Sequence, residues 1–221
     1  ENGKLFGDSL NNSNFSLTNN KIFSYPGYNE ILTGNADSTI KSNAKIYNKN
    51  ITVLEKLNQT NNYKNKIAAF ASWDVFPYII NDKRSGIPVN AGYMQEFNIK
   101  TPIVDYINKN QIRTPVIWEN VRLDVYTHNL ALEYIKKKRP KLVYIAYGET
   151  DDFAHGGKYD FYINSLNYTD NMIAELWGYV QSNKFYKDNT YFIITTDHGR
   201  GLMEDWSGHG TSQASWLAIL G

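Results

Sequence analysis

The chain has four histidines, and three of them keep the company that metal chemistry requires. His155 follows Asp151 by four residues in what reads as a polar loop, Gly148-Glu149-Thr150-Asp151-Asp152-Phe153-Ala154-His155. His198 is adjacent to Asp197 in Thr195-Thr196-Asp197-His198-Gly199, and His209 lies in Ser207-Gly208-His209-Gly210. Neutral imidazole and carboxylate are preferred zinc ligands, and flanking glycines let the backbone bend around an ion. His128 is different: it falls mid-helix among Tyr126, Leu130 and Leu132 and reads as a packing residue. A fourth segment, Ser24-Tyr25-Pro26-Gly27-Tyr28-Asn29-Glu30-Ile31-Leu32-Thr33-Gly34, sets a serine before a tight Pro-Gly turn and a helix start. Backbone N–H groups and the helix dipole favour anions at such a place. A serine there becomes a nucleophile when a metal lowers the pKa of its hydroxyl.

Short apolar runs bounded by breakers read as buried strands at 66–71, 142–147, 191–195 and 216–220. The longer period reads as helix at 29–33, 52–58, 73–80, 103–108, 122–137 and 159–181. Lys136, Lys137 and Lys138 before Arg139 and Pro140 make a cationic last turn followed by a stop. The first twenty residues, rich in Asn, Ser and Gly, read as loop. Alternating helices and strands predict an α/β sandwich on a largely parallel sheet, whose ligands bind beyond the carboxyl ends of the strands. Two of those ends run directly into Asp151/His155 and Asp197/His198.

Composition removes other classes. The length of 221 residues, with 42% hydrophobic and 20% charged, is that of one ordinary globular domain, predicted to span 1–221. No run of about eighteen apolar residues exists, so no transmembrane helix is expected in this segment. Lys+Arg 23 against Asp+Glu 22 leaves a net charge of +1, which gives no electrostatic case for nucleic acid. Cysteine is absent, which excludes disulfides, thiol catalysis and Cys-ligated zinc.

Taken in order, four segments between Ser24 and Gly210 resemble the alkaline phosphatase superfamily of metal-dependent phosphatases, phosphodiesterases, sulfatases and phosphomutases. Ser24, Pro26, Leu32, Thr33 and Gly34 look like its nucleophile segment. Glu149, Asp151 and His155 look like Glu-x-Asp-x-x-x-His; the remaining two are Thr-Thr-Asp-His-Gly at 195–199 and Gly-His-Gly at 208–210. The resemblance implies a three-layer α/β/α sandwich around a mostly parallel sheet, and two divalent metal ions, zinc first and manganese as the alternative. One ion would take Asp151, His155 and His209. The other would take Asp197, His198, the Ser24 hydroxyl and an aspartate from the family's first strand. Asp8 lacks a preceding apolar run and is not accepted in that role. The first strand is therefore expected upstream of Glu1, and the domain is expected to be incomplete at both ends.

The implied activity is hydrolysis of a small phosphoric ester, phosphomonoesters first, through a phosphoseryl intermediate. The alternatives are a phosphodiesterase or nucleotide pyrophosphatase, a manganese-dependent phosphotransferase of the phosphoglycerate mutase type, and an inactive metal-binding domain. A sulfatase is disfavoured because Tyr28 stands where that branch carries Arg. Asn29, Trp73, Asp74 and Arg200 are candidate substrate contacts, with Arg84, Arg122 and Lys158 as further cations able to clamp a phosphate. Family habit points to a periplasmic or secreted protein rather than a cytoplasmic one.

Overall fold

Pairs of helices separate successive strands through most of the described residues. The computed structural model describes residues 3–8, 10, 12–95, 98–211 and 213–221. In order it contains β1 (Lys4–Phe6), α1 (Ser24–Thr33), α2 (Val53–Asn58), β2 (Ile67–Ala71), α3 (Phe76–Ile80), α4 (Asp82–Ser85), β3 (Val89–Ala91), α5 (Pro102–Asn110), α6 (Asp124–Lys138), β4 (Leu142–Ala146), α7 (Glu149–His155), α8 (Tyr159–Ser182), β5 (Phe192–Thr195) and β6 (Leu217–Leu220). No helix is long and apolar enough to cross a membrane among the described residues. The chain divides into two compact units, one of residues 1–43, 154–157 and 170–221, the other of residues 44–153 and 158–169.

In the second unit β2 lies between β3 and β4, parallel to both. Its sequence Ile-Ala-Ala-Phe-Ala is buried at every position, as a strand covered on both faces must be. Phe70 packs with Val104 and Ile107 of α5 and with Leu130, Ala131 and Tyr134 of α6 in one apolar cluster. Local chemistry sets the helix ends. Thr52 caps α2 by accepting the Glu55 amide, Thr101 caps α5 ahead of Pro102, and Arg139 closes α6 in the left-handed conformation.

In the first unit β6 lies between β1 and β5 and runs antiparallel to both. The structure departs from the sequence reading at several places. β1 and β3 are three residues each, too short for a periodic signal, and exist because a neighbouring strand pairs with them. β4, β5 and β6 are mostly half-buried rather than buried. The segment read as a polar loop forms α7, whose Glu149, Asp151 and Asp152 sit in the first turn, where the helix dipole favours acids. Helix α1 begins at Ser24, so Pro26 and Gly27 lie in its first turn instead of making a turn before it. Proline costs nothing there, because the first amides of a helix have no intrahelical partner. Asp8 does follow a strand, β1, but its carboxylate closes a local turn by accepting the Leu10 amide at 3.0 Å.

The end of β2 carries a buried polar network. Asp124, the first residue of α6, accepts the Ser72 hydroxyl and the amides of Gly148 and Glu149 at 2.8 and 3.0 Å. Its own amide donates to Glu149 Oε1 at 2.7 Å, so α6 and α7 cap each other. Arg122, also fully buried, donates to Thr127 Oγ1 and Asn90 Oδ1 at 2.8 and 2.6 Å. Burial, and then the Glu149 charge, push the Asp124 carboxyl up to about 7 from its ordinary 3.8. The folded state therefore holds a proton that the unfolded chain has released, so this group's contribution to stability falls as pH rises from about 4 to about 7. Asp124→Asn is expected to flatten the melting temperature against pH across that window. An unchanged slope in thermal scans at pH 4 to 7 would refute the assignment.

Candidate metal centre

Four predicted site residues and the serine come together within the first unit, and backbone carbonyls aim two of the imidazoles. His198 follows β5, is buried, and places its Nδ1 2.9 Å from the Gly199 carbonyl oxygen. His209 places its Nδ1 2.8 Å from the Ile22 carbonyl oxygen. A carbonyl can only accept, so both Nδ1 atoms carry a proton, and a neutral ring held this way presents Nε2 as a lone pair. The two rings lie face to face, with centroids 3.8 Å apart and planes inclined by 34°.

Those lone pairs point at the other candidates. Ser24 Oγ lies 3.3 Å from His198 Nε2, and Asp197 Oδ2 lies 3.5 Å from the same atom. His155 Nε2 lies 2.9 Å from His209 Nε2. Two nitrogens that each bind a tetrahedral zinc at about 2.0–2.1 Å stand roughly 3.3 Å apart, so this convergence suits a shared ion. The donor set of imidazole nitrogens, carboxylate and hydroxyl, with imidazoles held through their far nitrogen, fits a divalent metal. Asp151 stands one helical turn before His155 on α7, a spacing that puts both side chains on one helix face.

The remaining predicted residues are placed as follows. Asn29 is fully buried, and its side-chain amide donates to the Asn35 carbonyl at 3.1 Å, which ties it to the end of α1. Trp73 bridges to Val121 through its backbone and meets the Phe76 ring edge-on. Asp74 pairs with Lys45 at 2.6 Å and has its other oxygen buried without a hydrogen bond. Arg200 donates to the Ser207 carbonyl at 3.3 Å. Of the further cations, Arg84 is engaged by Glu55 and three backbone carbonyls, and Arg122 is sealed in the network described above, so neither is available to clamp a phosphate. His128 is buried in α6 with Nδ1 2.9 Å from the Tyr147 hydroxyl. Sequence reasoning missed the carbonyls of Ile22 and Gly199, because a backbone partner leaves no mark on residue type.

One glycine makes the arrangement possible. A Cβ on Gly27 would stand 1.9 Å from the Asp197 carbonyl oxygen. Only glycine lets α1 lie against the backbone that precedes His198, and that approach carries Ser24 to the imidazole.

Comparison with known proteins agrees with this architecture. The family model described as Metalloenzyme superfamily matches residues 24–211, which include every residue of the centre. The structure of alkaline phosphatase from the Antarctic bacterium TAB5 is similar over 99% of this chain and 80% of that one, at 14% identity and a TM-score of 0.54. A histidine-to-aspartate mutant of that phosphatase, with Mg bound in its M3 site, is similar over 99% and 81%, at 15% identity and a TM-score of 0.50. The PH0037 protein from Pyrococcus horikoshii matches 70% of this chain at 15% identity and a TM-score of 0.41, and the chain spans about a third of its length. No curated protein matches the sequence. The fold is alkaline-phosphatase-like α/β, as the ordered motifs imply.

Gly27→Ala is expected to cost about 1–3 kcal/mol, the usual range for forced overpacking. The contrast is Gly178→Ala: Gly178 is exposed in α8 with nothing near its missing Cβ, so that change should stabilise by roughly 0.5–1 kcal/mol. Equal and small shifts for both variants in urea titrations would show that α1 does not depend on the close approach.

Proposed function

The chain belongs to the metalloenzyme superfamily, and on that premise we propose that it hydrolyses small phosphoric esters, phosphomonoesters first, through a phosphoseryl intermediate on Ser24. The observation that carries the reading is Ser24 Oγ at 3.3 Å from His198 Nε2 on the first residue of a helix. The proposed ligands are Asp151, His155 and His209 for one ion and Asp197, His198 and Ser24 for the other. Two divalent cations, zinc by the chemistry of the donors, would lower the Ser24 hydroxyl pKa and neutralise charge on the phosphoryl and leaving oxygens.

The residues of the chain supply position and the nucleophile. The start of α1 offers a dipole of the right sign for a phosphoryl group, and no acidic residue lies in its first turn to oppose one. Ser24 gives up its proton to solvent as its oxygen bonds to phosphorus, the bond from phosphorus to the ester oxygen breaks, and that oxygen takes up a proton from solvent and leaves as the alcohol. Water then attacks the phosphoserine, which releases phosphate and restores the hydroxyl. Trp73, Asp74 and Arg200 stand as proposed substrate contacts. Asn29, sealed inside the packing of α1, is not carried forward.

Initial rates of the zinc-loaded protein on a phosphate monoester and its matched diester decide the class. Monoester turnover should dominate, vanish with a chelator and return with zinc, and fall at least roughly 10³-fold in Ser24→Ala. Undiminished turnover in Ser24→Ala would remove the covalent step, and a diester preference would move the protein to the phosphodiesterases.

A further inference from the structure

The carbonyl that aims His209 belongs to a strained residue. Ile22 has φ +51°, a left-handed conformation that a β-branched side chain adopts only when its surroundings enforce it. The enforcing contacts are polar and specific. Asn19, itself buried, accepts the amides of Lys21 and Ile22 on Oδ1 at 3.1 and 3.2 Å. Asn19 is held in turn by Glu30 of α1, whose Oε2 accepts its amide and its side-chain nitrogen at 3.1 and 2.6 Å. Glu30 Oε1 accepts the amide and hydroxyl of Thr18, both at 2.7 Å.

We propose that Glu30, Asn19 and Ile22 form a positioning relay for His209: the Glu30 carboxylate clamps residues 18–19, Asn19 bends the chain at Ile22, and the Ile22 carbonyl fixes His209 as the Nδ1–H tautomer with Nε2 turned to the ion. The inference rests on the reading of His209 as a metal ligand. Burial works to raise the Glu30 carboxyl, yet the bonds from Asn19 and Thr18 outweigh it and hold the group below its usual value, so the ionised clamp is the resident form. An isosteric amide cannot replace it. The side chain introduced by Glu30→Gln would keep one acceptor oxygen and turn an NH₂ group toward two donors. The same loop continues through Phe23 to Ser24, so the relay that orients His209 also delivers the serine to α1.

The test uses the full chain with cobalt(II) as probe and compares wild type with Glu30→Gln, Ile22→Gly and Thr52→Ala. Thr52→Ala removes the α2 cap and serves as a control for general destabilisation. Two readouts are taken: the long-range ¹H–¹⁵N spectrum of the His209 ring in metal-free protein at pH 8, and the cobalt affinity from its visible absorption. Wild type should show the Nδ1–H tautomer. Glu30→Gln should lose it and bind cobalt roughly 10–100-fold more weakly, the usual effect of removing an outer partner of a ligand. Ile22→Gly keeps the amide and the carbonyl and adopts the positive φ without strain, so its tautomer and affinity should hold while its melting temperature holds or rises. Thr52→Ala should melt lower with affinity unchanged. Unchanged tautomer and affinity in Glu30→Gln would overturn the inference, as would affinity that merely tracks melting temperature across the set. Wild type that binds no cobalt yet keeps the tautomer would sink the ligand reading and leave the relay standing; wild type without the tautomer would sink the relay itself.

Discussion

Two backbone carbonyl oxygens govern what the candidate centre can do. An imidazole in water exchanges its proton between two nitrogens and presents either lone pair. Against a carbonyl it has one choice, and at His198 and His209 that choice leaves Nε2 open toward the hydroxyl, carboxylate and imidazole around it. The two constraints differ in origin. Gly199 is the neighbour of His198, so its carbonyl comes with the turn after β5. Ile22 lies 187 residues from His209, so its carbonyl comes only with the folded amino-terminal loop. The centre therefore cannot be complete in the carboxyl-terminal motifs by themselves.

The same logic recurs where strands end. β2 runs into Ser72, β4 into Gly148 and Glu149, and β5 into Thr196 and Asp197, so polar groups collect where helices begin. In the second unit these groups are consumed by structure. Asp124 and Glu149 satisfy each other's first helical amide, and Arg122 is held by Asn90 and Thr127. Such burial is costly unless every donor finds an acceptor, and the raised Asp124 and Glu149 carboxyls record the cost. What is obtained is a defined start for α7, the helix with Asp151 one turn ahead of His155.

Much of this was legible in the sequence, for reasons that differ by element. The core strand β2 was legible because an unbroken apolar run needs no partner to identify it, and the end of α6 because its lysines and Pro140 mark it chemically. Asp151, His155, Asp197, His198 and His209 were legible as ligand types in polar, glycine-containing contexts, and Ser24 by its place before a helix. β1 was not, since an exposed Lys-Leu-Phe acquires strand character only from β6. Helix α7 was read as loop because its acidic first turn looks like a solvated segment until the dipole is counted. Pro26 and Gly27 misled in the opposite direction. Their turn-forming character is real, but in the first turn of α1 the proline has no bond to lose, and the glycine is present for the Asp197 carbonyl.

Burial alone does not separate a ligand histidine from a structural one. His128 is 1% exposed and His198 7%, and each has a hydrogen-bond partner on Nδ1. The partners differ in kind. The Tyr147 hydroxyl against His128 can donate or accept, so that bond by itself does not select a tautomer. The Gly199 carbonyl allows one tautomer. A side chain whose chemistry must be the same in every molecule is held by a group with one role, and a side chain that only fills space is not. That contrast in partners favours His198 and His209, and not His128, as the proposed metal ligands.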